Sequence, residues 1–242
     1  MKKSTWIVGS IVVVGVALLV WGGAQQGAAP SVLSDEDMAA ILAVRADDWI
    51  AGLAVSTSTP EVTLVEYSDY QCPACRQYEP IVNELVEEFG DRLQFVYRHF
   101  PLSQIHLNAR MAAQTAEAAG MQGAYFNMSA LLFEKQSEWQ GLSSTKIQEK
   151  ILEYAEEVVL DIKQFVRDIE SEEVSASITQ DLQDAARLGL NSTPSFFLNG
   201  RKIANPNSYE QFRLLILQEL GDITIETQQV GDDAEFNVEI GS

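Results

Sequence analysis

The sequence predicts an α/β fold: a central mixed sheet flanked by helices and interrupted by an all-helical insertion. Three observations carry this. Val62-Thr-Leu-Val-Glu-Tyr67 and Leu93-Gln-Phe-Val-Tyr97 are runs of strand formers on either side of a helical face, which makes a β-α-β unit. From 105 to 189 apolar residues recur at helical spacing with no strand signal between them. Strand character then returns at Ser195-Phe-Phe-Leu198, where Asn199-Gly200 signals a two-residue hairpin.

The chain opens with Lys2 and Lys3 before an uncharged, mostly apolar run from Trp6 to Ala24. That length approaches the roughly 20 residues that cross a bilayer as a helix. Residues 1–24 are therefore read as a transmembrane anchor or a cleaved signal peptide. The anchor is favoured because the run is long and carries Trp at both ends. Either reading exports the rest of the chain, with the anchor placing it on the extracytoplasmic side of a single-pass membrane protein. Residues 25–46 read as a linker and a short helix, with Ser34 and Asp37 resembling a capping box for a helix to about Val44.

Residues 47–104 carry the first strands and the helix from Pro73. Tyr78, Ile81, Val82, Leu85, Val86 and Phe89 fall on one face of that helix, Pro80 is expected to kink it, and Gly90 closes it. In the insertion, 105–189, Ala109, Ala112, Ala113, Ala116 and Ala119 form a small-residue face that permits close packing. Tyr125, Met128 and Leu132 mark the next helix, and Ile147, Ile151, Tyr154 and Val158 the one after. Ile162, Phe165, Val166 and Ile169, then Val174, Ile178, Leu182 and Ala185, mark two more. Residues 190–220 hold the returning strand and a helix capped by Ser208 and Gln211. The acidic tail, 221–242, has strand character at Ile223-Thr-Ile-Glu226.

Composition narrows the function. The 242 residues carry a net charge of −19, which excludes a nucleic-acid surface built on clustered Lys and Arg. Two cysteines make neither a disulfide framework nor a four-cysteine zinc site. They form Cys72-Pro-Ala-Cys75, where a strand hands over to a helix. The unpaired N–H groups and partial positive charge of a helix N-terminus stabilise a thiolate at Cys72, and Pro73 costs no hydrogen bond there. Cys75, one turn further in, is expected to be more buried and able to attack a mixed disulfide on Cys72. A zinc half-site would need two further ligands from only His99 and His106, and a mere staple would not need the strand-to-helix setting. A redox-active pair is the better account, with no cofactor and no metal.

Glu66-Tyr-Ser-Asp-Tyr-Gln-Cys72-Pro-Ala-Cys75, Tyr97-Arg-His-Phe-Pro101 and Ser192-Thr193-Pro194-Ser195-Phe together resemble the DsbA-like thiol:disulfide oxidoreductases of the thioredoxin superfamily. Within that group the chain is most similar to the membrane-anchored or secreted bacterial proteins of the BdbD kind. The resemblance spans about Asp47 to Leu220. It implies a thioredoxin domain split by a helical insertion, and a cis proline at Pro194 whose preceding residue faces the cysteines. Thr193 and Pro194 would then bind an extended substrate segment beside Cys72, supported by Pro73 and Ala74 between the cysteines. Glu66 matches a buried acid of the family that would exchange a proton with Cys75. Asp69 is a weaker candidate of the same kind, and His99 a candidate contact from a loop after the strand. One departure stands out: the strongest oxidants of the family place a charged His between the cysteines, whereas Ala74 supplies no charge and leaves the helix terminus and Arg76 to stabilise the thiolate.

These readings converge on an exported thiol:disulfide oxidoreductase that introduces disulfides into exported proteins through Cys72 and Cys75. Its partners would be exported substrates with free thiols or disulfides, and a quinone-linked membrane oxidase that restores the enzyme disulfide. The rivals are a reductase or isomerase of the same fold and, from another class, a peptide-binding module with idle cysteines.

Overall fold

The computed structural model describes residues 33–51, 60–227 and 236–240; the apolar run at 6–24 lies outside them. The elements up to the active-site helix are α1 (Asp35–Leu42), β1 (Trp49–Ala51), β2 (Val62–Ser68) and α2 (Pro73–Phe89), after which a short turn leads to β3 (Leu93–His99). The insertion holds α3 (Ala109–Gly120), α4 (Tyr125–Glu134), α5 (Gln136–Trp139), α6 (Ser144–Glu157), α7 (Ile162–Ile169) and α8 (Glu172–Arg187). The chain returns as β4 (Ser195–Leu198), β5 (Arg201–Lys202) and α9 (Tyr209–Glu219), then ends in β6 (Ile223–Thr227) and β7 (Phe236–Ile240). Among the described residues no helix is long and apolar enough to cross a membrane.

The five-stranded sheet runs β1-β3-β2-β4-β5. β2 lies parallel to β3 and antiparallel to β4, so it is paired on both edges and buried along almost all its length, which is why its sequence is nearly continuous in strand formers. Tyr67, Val65 and Phe197 line one face; Leu64, Phe95 and Phe196 join α2 and α9 on the other. The Asn199-Gly200 hairpin has positive φ at both positions (46° and 77°), as a type I′ turn requires. The tail strands β6 and β7 pair antiparallel with each other, Ile223 opposite Ile240.

α2 starts with Pro73 at its first turn, continues through Pro80 and ends at Gly90, whose φ of 56° is cheap only for glycine. α3 starts four residues later than 105, and its alanine face is wholly buried. Gly120 at its end meets the Trp49 ring so closely that a Cβ would sit 2.3 Å from it.

β3 extends two residues beyond the expected Tyr97, and this corrects the placement of His99. The last two positions are polar yet buried, because each finds partners from elsewhere in the fold. Arg98, 0% exposed, uses all its N–H groups: two meet Asp48 at 3.0 and 2.8 Å, and the others reach the carbonyls of Ile41 and Ala43 and the hydroxyl of Tyr67. This fastens α1 and β1 to the sheet. His99 is a strand residue: its Nε2 meets Glu117 at 2.9 Å and its backbone N–H donates to Asp181 at 2.7 Å, bridging the sheet to α3 and α8.

Candidate active site

Cys72 is the residue before the first turn of α2, with extended backbone (φ −74°, ψ 122°), so its sulfur stands at the positive end of a long helix. Its backbone N–H donates to Asp69 O at 2.9 Å and its carbonyl accepts from Arg76 N at 3.2 Å. Cys75 is one turn in and 0% exposed, against 7% for Cys72. Thr193 closes the site from the other side: the Thr193–Pro194 bond is cis, and the Thr193 carbonyl lies 3.5 Å from the Cys72 sulfur as acceptor of its thiol.

The two thiols are driven apart. The Cys72 thiol is pulled down to about 5, chiefly by the Cys75 thiol donating to it. Partial burial opposes this, while the Thr193 hydroxyl and the backbone N–H groups of Cys75 and Ala74 add to it. The Thr193 hydroxyl stands beside the sulfur without the geometry of a full hydrogen bond. Cys75 goes the other way, pushed well up by burial and by the neighbouring Cys72 and Glu66. Glu66, on β2 and 3% exposed, is pushed up to about 8, first by burial, then by the charges of Cys72 and Glu79, with the Ser68 hydroxyl opposing.

Beneath the cysteines lies a cavity of about 40 Å³, lined by Glu66, Cys75, Glu79, Asn83, Tyr97 and Ser129 among others. That is room for a few water molecules, and the polar lining supplies their partners. Ser68 Oγ and Tyr97 Oη, both buried, have no full hydrogen bond to protein.

Cys72, Cys75, Glu66, Thr193 and Pro194 thus converge, with Pro73 and Ala74 forming the first turn. Ala74 contributes through its backbone N–H rather than its side chain. Asp69 stays apart: its buried carboxylate accepts from Gln71 N, Leu102 N and His106 Nδ1 at 2.7, 2.9 and 2.7 Å, which ties the loop before Cys72 to the loop after β3. Arg76 is exposed, and its backbone N–H donates to the Cys72 carbonyl. Glu79, Tyr97 and Gln136 also stand at the site, and the motifs assign them no role. Glu79 follows Cys75 by one helical turn, a spacing that could have flagged it, and Tyr97 stands opposite Glu66 in the β2–β3 register.

A family model described as thioredoxin matches residues 53–218. Among solved structures, a thioredoxin-like oxidoreductase from Silicibacter pomeroyi DSS-3 is 30% identical, with a TM-score of 0.60 over 73% of this chain and 94% of that one. Wolbachia pipientis alpha-DsbA1 (21% identity, TM-score 0.64, 76% and 96% covered) and Bacillus subtilis BdbD (19%, 0.62, 72% and 94%) share the fold. The chain belongs to the thioredoxin family, and its helical insertion is part of the fold it shares with these structures. Curated relatives it matches include Na(+)/H(+) antiporters, among them NhaA 3 of Salinispora tropica at 34% identity over 181 residues, 75% of this chain; the chain spans 26% of that relative's length.

Proposed function

We propose that the protein is an exported disulfide donor, in which Cys72 is the exchanging sulfur, Cys75 its buried partner and Glu66 the proton carrier for Cys75. The observation that carries this is the opposed displacement of the two thiols above a buried acid that holds its proton at neutral pH. A substrate thiolate attacks Cys72 Sγ of the enzyme disulfide; the Cys72–Cys75 bond breaks and its electron pair leaves on Cys75, which takes the Glu66 proton. A second substrate thiolate then attacks the substrate sulfur of the mixed disulfide and expels Cys72 as a stable thiolate. The substrate dithiol is oxidised and the enzyme disulfide reduced. The cis Thr193–Pro194 segment supports a substrate strand beside Cys72.

The direction follows from the leaving group. Stabilising the reduced form makes a couple oxidising, and here the Cys75 thiol and the backbone donors offset the missing histidine. Reoxidation is assigned to a quinone-linked membrane partner, and the apolar run at 6–24 supports an extracytoplasmic location. Equilibration with glutathione buffers tests the direction: we expect a potential nearer about −120 mV than about −270 mV, and a thioredoxin-like value would make the protein a reductase. Cys75→Ser whose Cys72 has first been charged as a mixed disulfide by oxidised glutathione is expected to exchange glutathione for a substrate thiolate and trap that mixed disulfide, whereas a binding module with idle cysteines would trap none.

A further inference from the structure

Cys72 is held by its main chain as well as by its helix, and one of the holding groups comes from the insertion. Gln136, the first residue of α5, is 2% exposed. Its Nε2 donates to Tyr70 O at 2.8 Å and to Cys72 O at 3.1 Å. The peptide carrying that second carbonyl joins Cys72 to Pro73, so it has no N–H and can be held only through its oxygen. The oxygen is therefore gripped from within α2, by Arg76 N, and from the insertion, by Gln136.

α5 is itself firmly placed. Trp139, 0% exposed, donates its indole N–H to Leu132 O at 2.8 Å. Asn108 Nδ2 lies within 3.3 Å of the carbonyls of Trp139, Gln140 and Leu142, while its backbone N–H donates to Gln71 Oε1. Asn108 thus secures the same segment without touching Cys72.

We propose that Gln136 is a positioning residue for Cys72: by fixing the Cys72–Pro73 carbonyl it aims the sulfur at the backbone N–H groups of Ala74 and Cys75 and at Thr193. The insertion thereby tunes the exchanging sulfur without contacting it. This rests on the reading of Cys72 as the exchanging sulfur.

Ultraviolet titration of the thiolate in the full-length reduced protein tests it, together with the glutathione equilibrium. Gln136→Met keeps the length of the side chain and removes the donor. It is expected to move the Cys72 midpoint up by about one pH unit and to make the couple about tenfold less oxidising. Gln136→His, which retains a donor, is expected to recover part of both. Asn108→Leu loosens the same segment but keeps the Gln136 donor, and is expected to lower the melting temperature at least as much as Gln136→Met while shifting midpoint and potential less. A Gln136→Met protein that melts early but titrates like wild type overturns the proposal, as does an Asn108→Leu protein that shifts equally. Should Gln136→Met fail to fold, the side-chain amide resonances of Gln136 in the wild-type protein decide. They are expected to follow pH with the Cys72 midpoint, and a flat response overturns the proposal. If Cys75→Ser traps no substrate, the reading of Cys72 falls first and this proposal with it.

Discussion

Glu66 shows how much a single buried group can ask of the fold. Among the described residues no cation offsets its charge, and burial, with the charges of Cys72 and Glu79, makes its ionised form costly. The unfolded chain ionises this carboxyl near its ordinary 4.5, whereas the folded protein keeps the proton to about 8. Across that window the folded state binds more protons than the unfolded one, so the contribution of Glu66 to stability declines as pH rises and is greatest below 4.5. Glu66→Gln removes the ionisation while keeping the shape. It is expected to be close to neutral at pH 5 and to stabilise the reduced protein at pH 8 by roughly 1–3 kcal/mol, read as a rise in melting temperature. An equal gain at both pH values would show that Glu66 is not held protonated. The same substitution is expected to slow reduction of the enzyme disulfide, because Cys75 loses its nearby proton source as it leaves.

At the scale of elements, what the sequence made legible depends on where each residue finds its partners. The β-α-β unit, the alanine face of α3 and the Asn199-Gly200 hairpin are written in local periodicity and turn chemistry, and they were readable for that reason. The last two residues of β3 were not. Arg98 and His99 look like the start of a loop because polarity normally means exposure, and their partners Asp48, Glu117 and Asp181 lie far away in sequence. Cys72, Cys75, Thr193 and Pro194 were visible through their motifs, and Glu66 through its place in one. Gln136 was invisible, because its partners are main-chain carbonyls that impose no residue type on the positions that supply them. The buried Arg98–Asp48 pair gives a test at this scale. Asp48 is held below the usual carboxylate range: burial works against its charge, and the hydrogen bonds and charge of Arg98, with Arg45, outweigh it. Its contribution is present above the ordinary carboxylate range and is lost as pH falls through its lowered folded value. Asp48→Ala leaves Arg98 buried without its carboxylate and is expected to cost about 3–5 kcal/mol in denaturant unfolding, with Arg98→Met on the same background recovering part of it. No recovery would mean that Arg98 is held by its remaining acceptors, the carbonyls of Ile41 and Ala43 and the Tyr67 hydroxyl.

For the whole molecule the governing quantity is the net charge of −19, which no single contact expresses. Beside the cysteines Glu66 holds its proton and the Asp69 carboxylate is bound by three donors, so the chemistry of exchange is set locally. The approach of a substrate is a different matter, because the summed field extends over about 30 Å at 0.01 M salt and about 8 Å at 0.15 M. An acidic protein attracts basic substrates and repels acidic ones at long range, whatever the residues at the cysteine. Two model dithiol peptides of equal length, one rich in Lys and one rich in Glu, separate the two effects. At low salt the basic peptide is expected to react with the oxidised enzyme several-fold faster, and the two rates are expected to converge as salt is raised, with the basic peptide slowing and the acidic one speeding up. Once they have converged, the remaining rate reports the sulfur chemistry alone, so a variant such as Gln136→Met should change that common rate and leave the salt slopes untouched. Peptides that react at equal rates at every salt concentration would mean that the charge is screened or distributed away from the cysteine face, and that substrate choice is made only on contact with the Thr193–Pro194 segment.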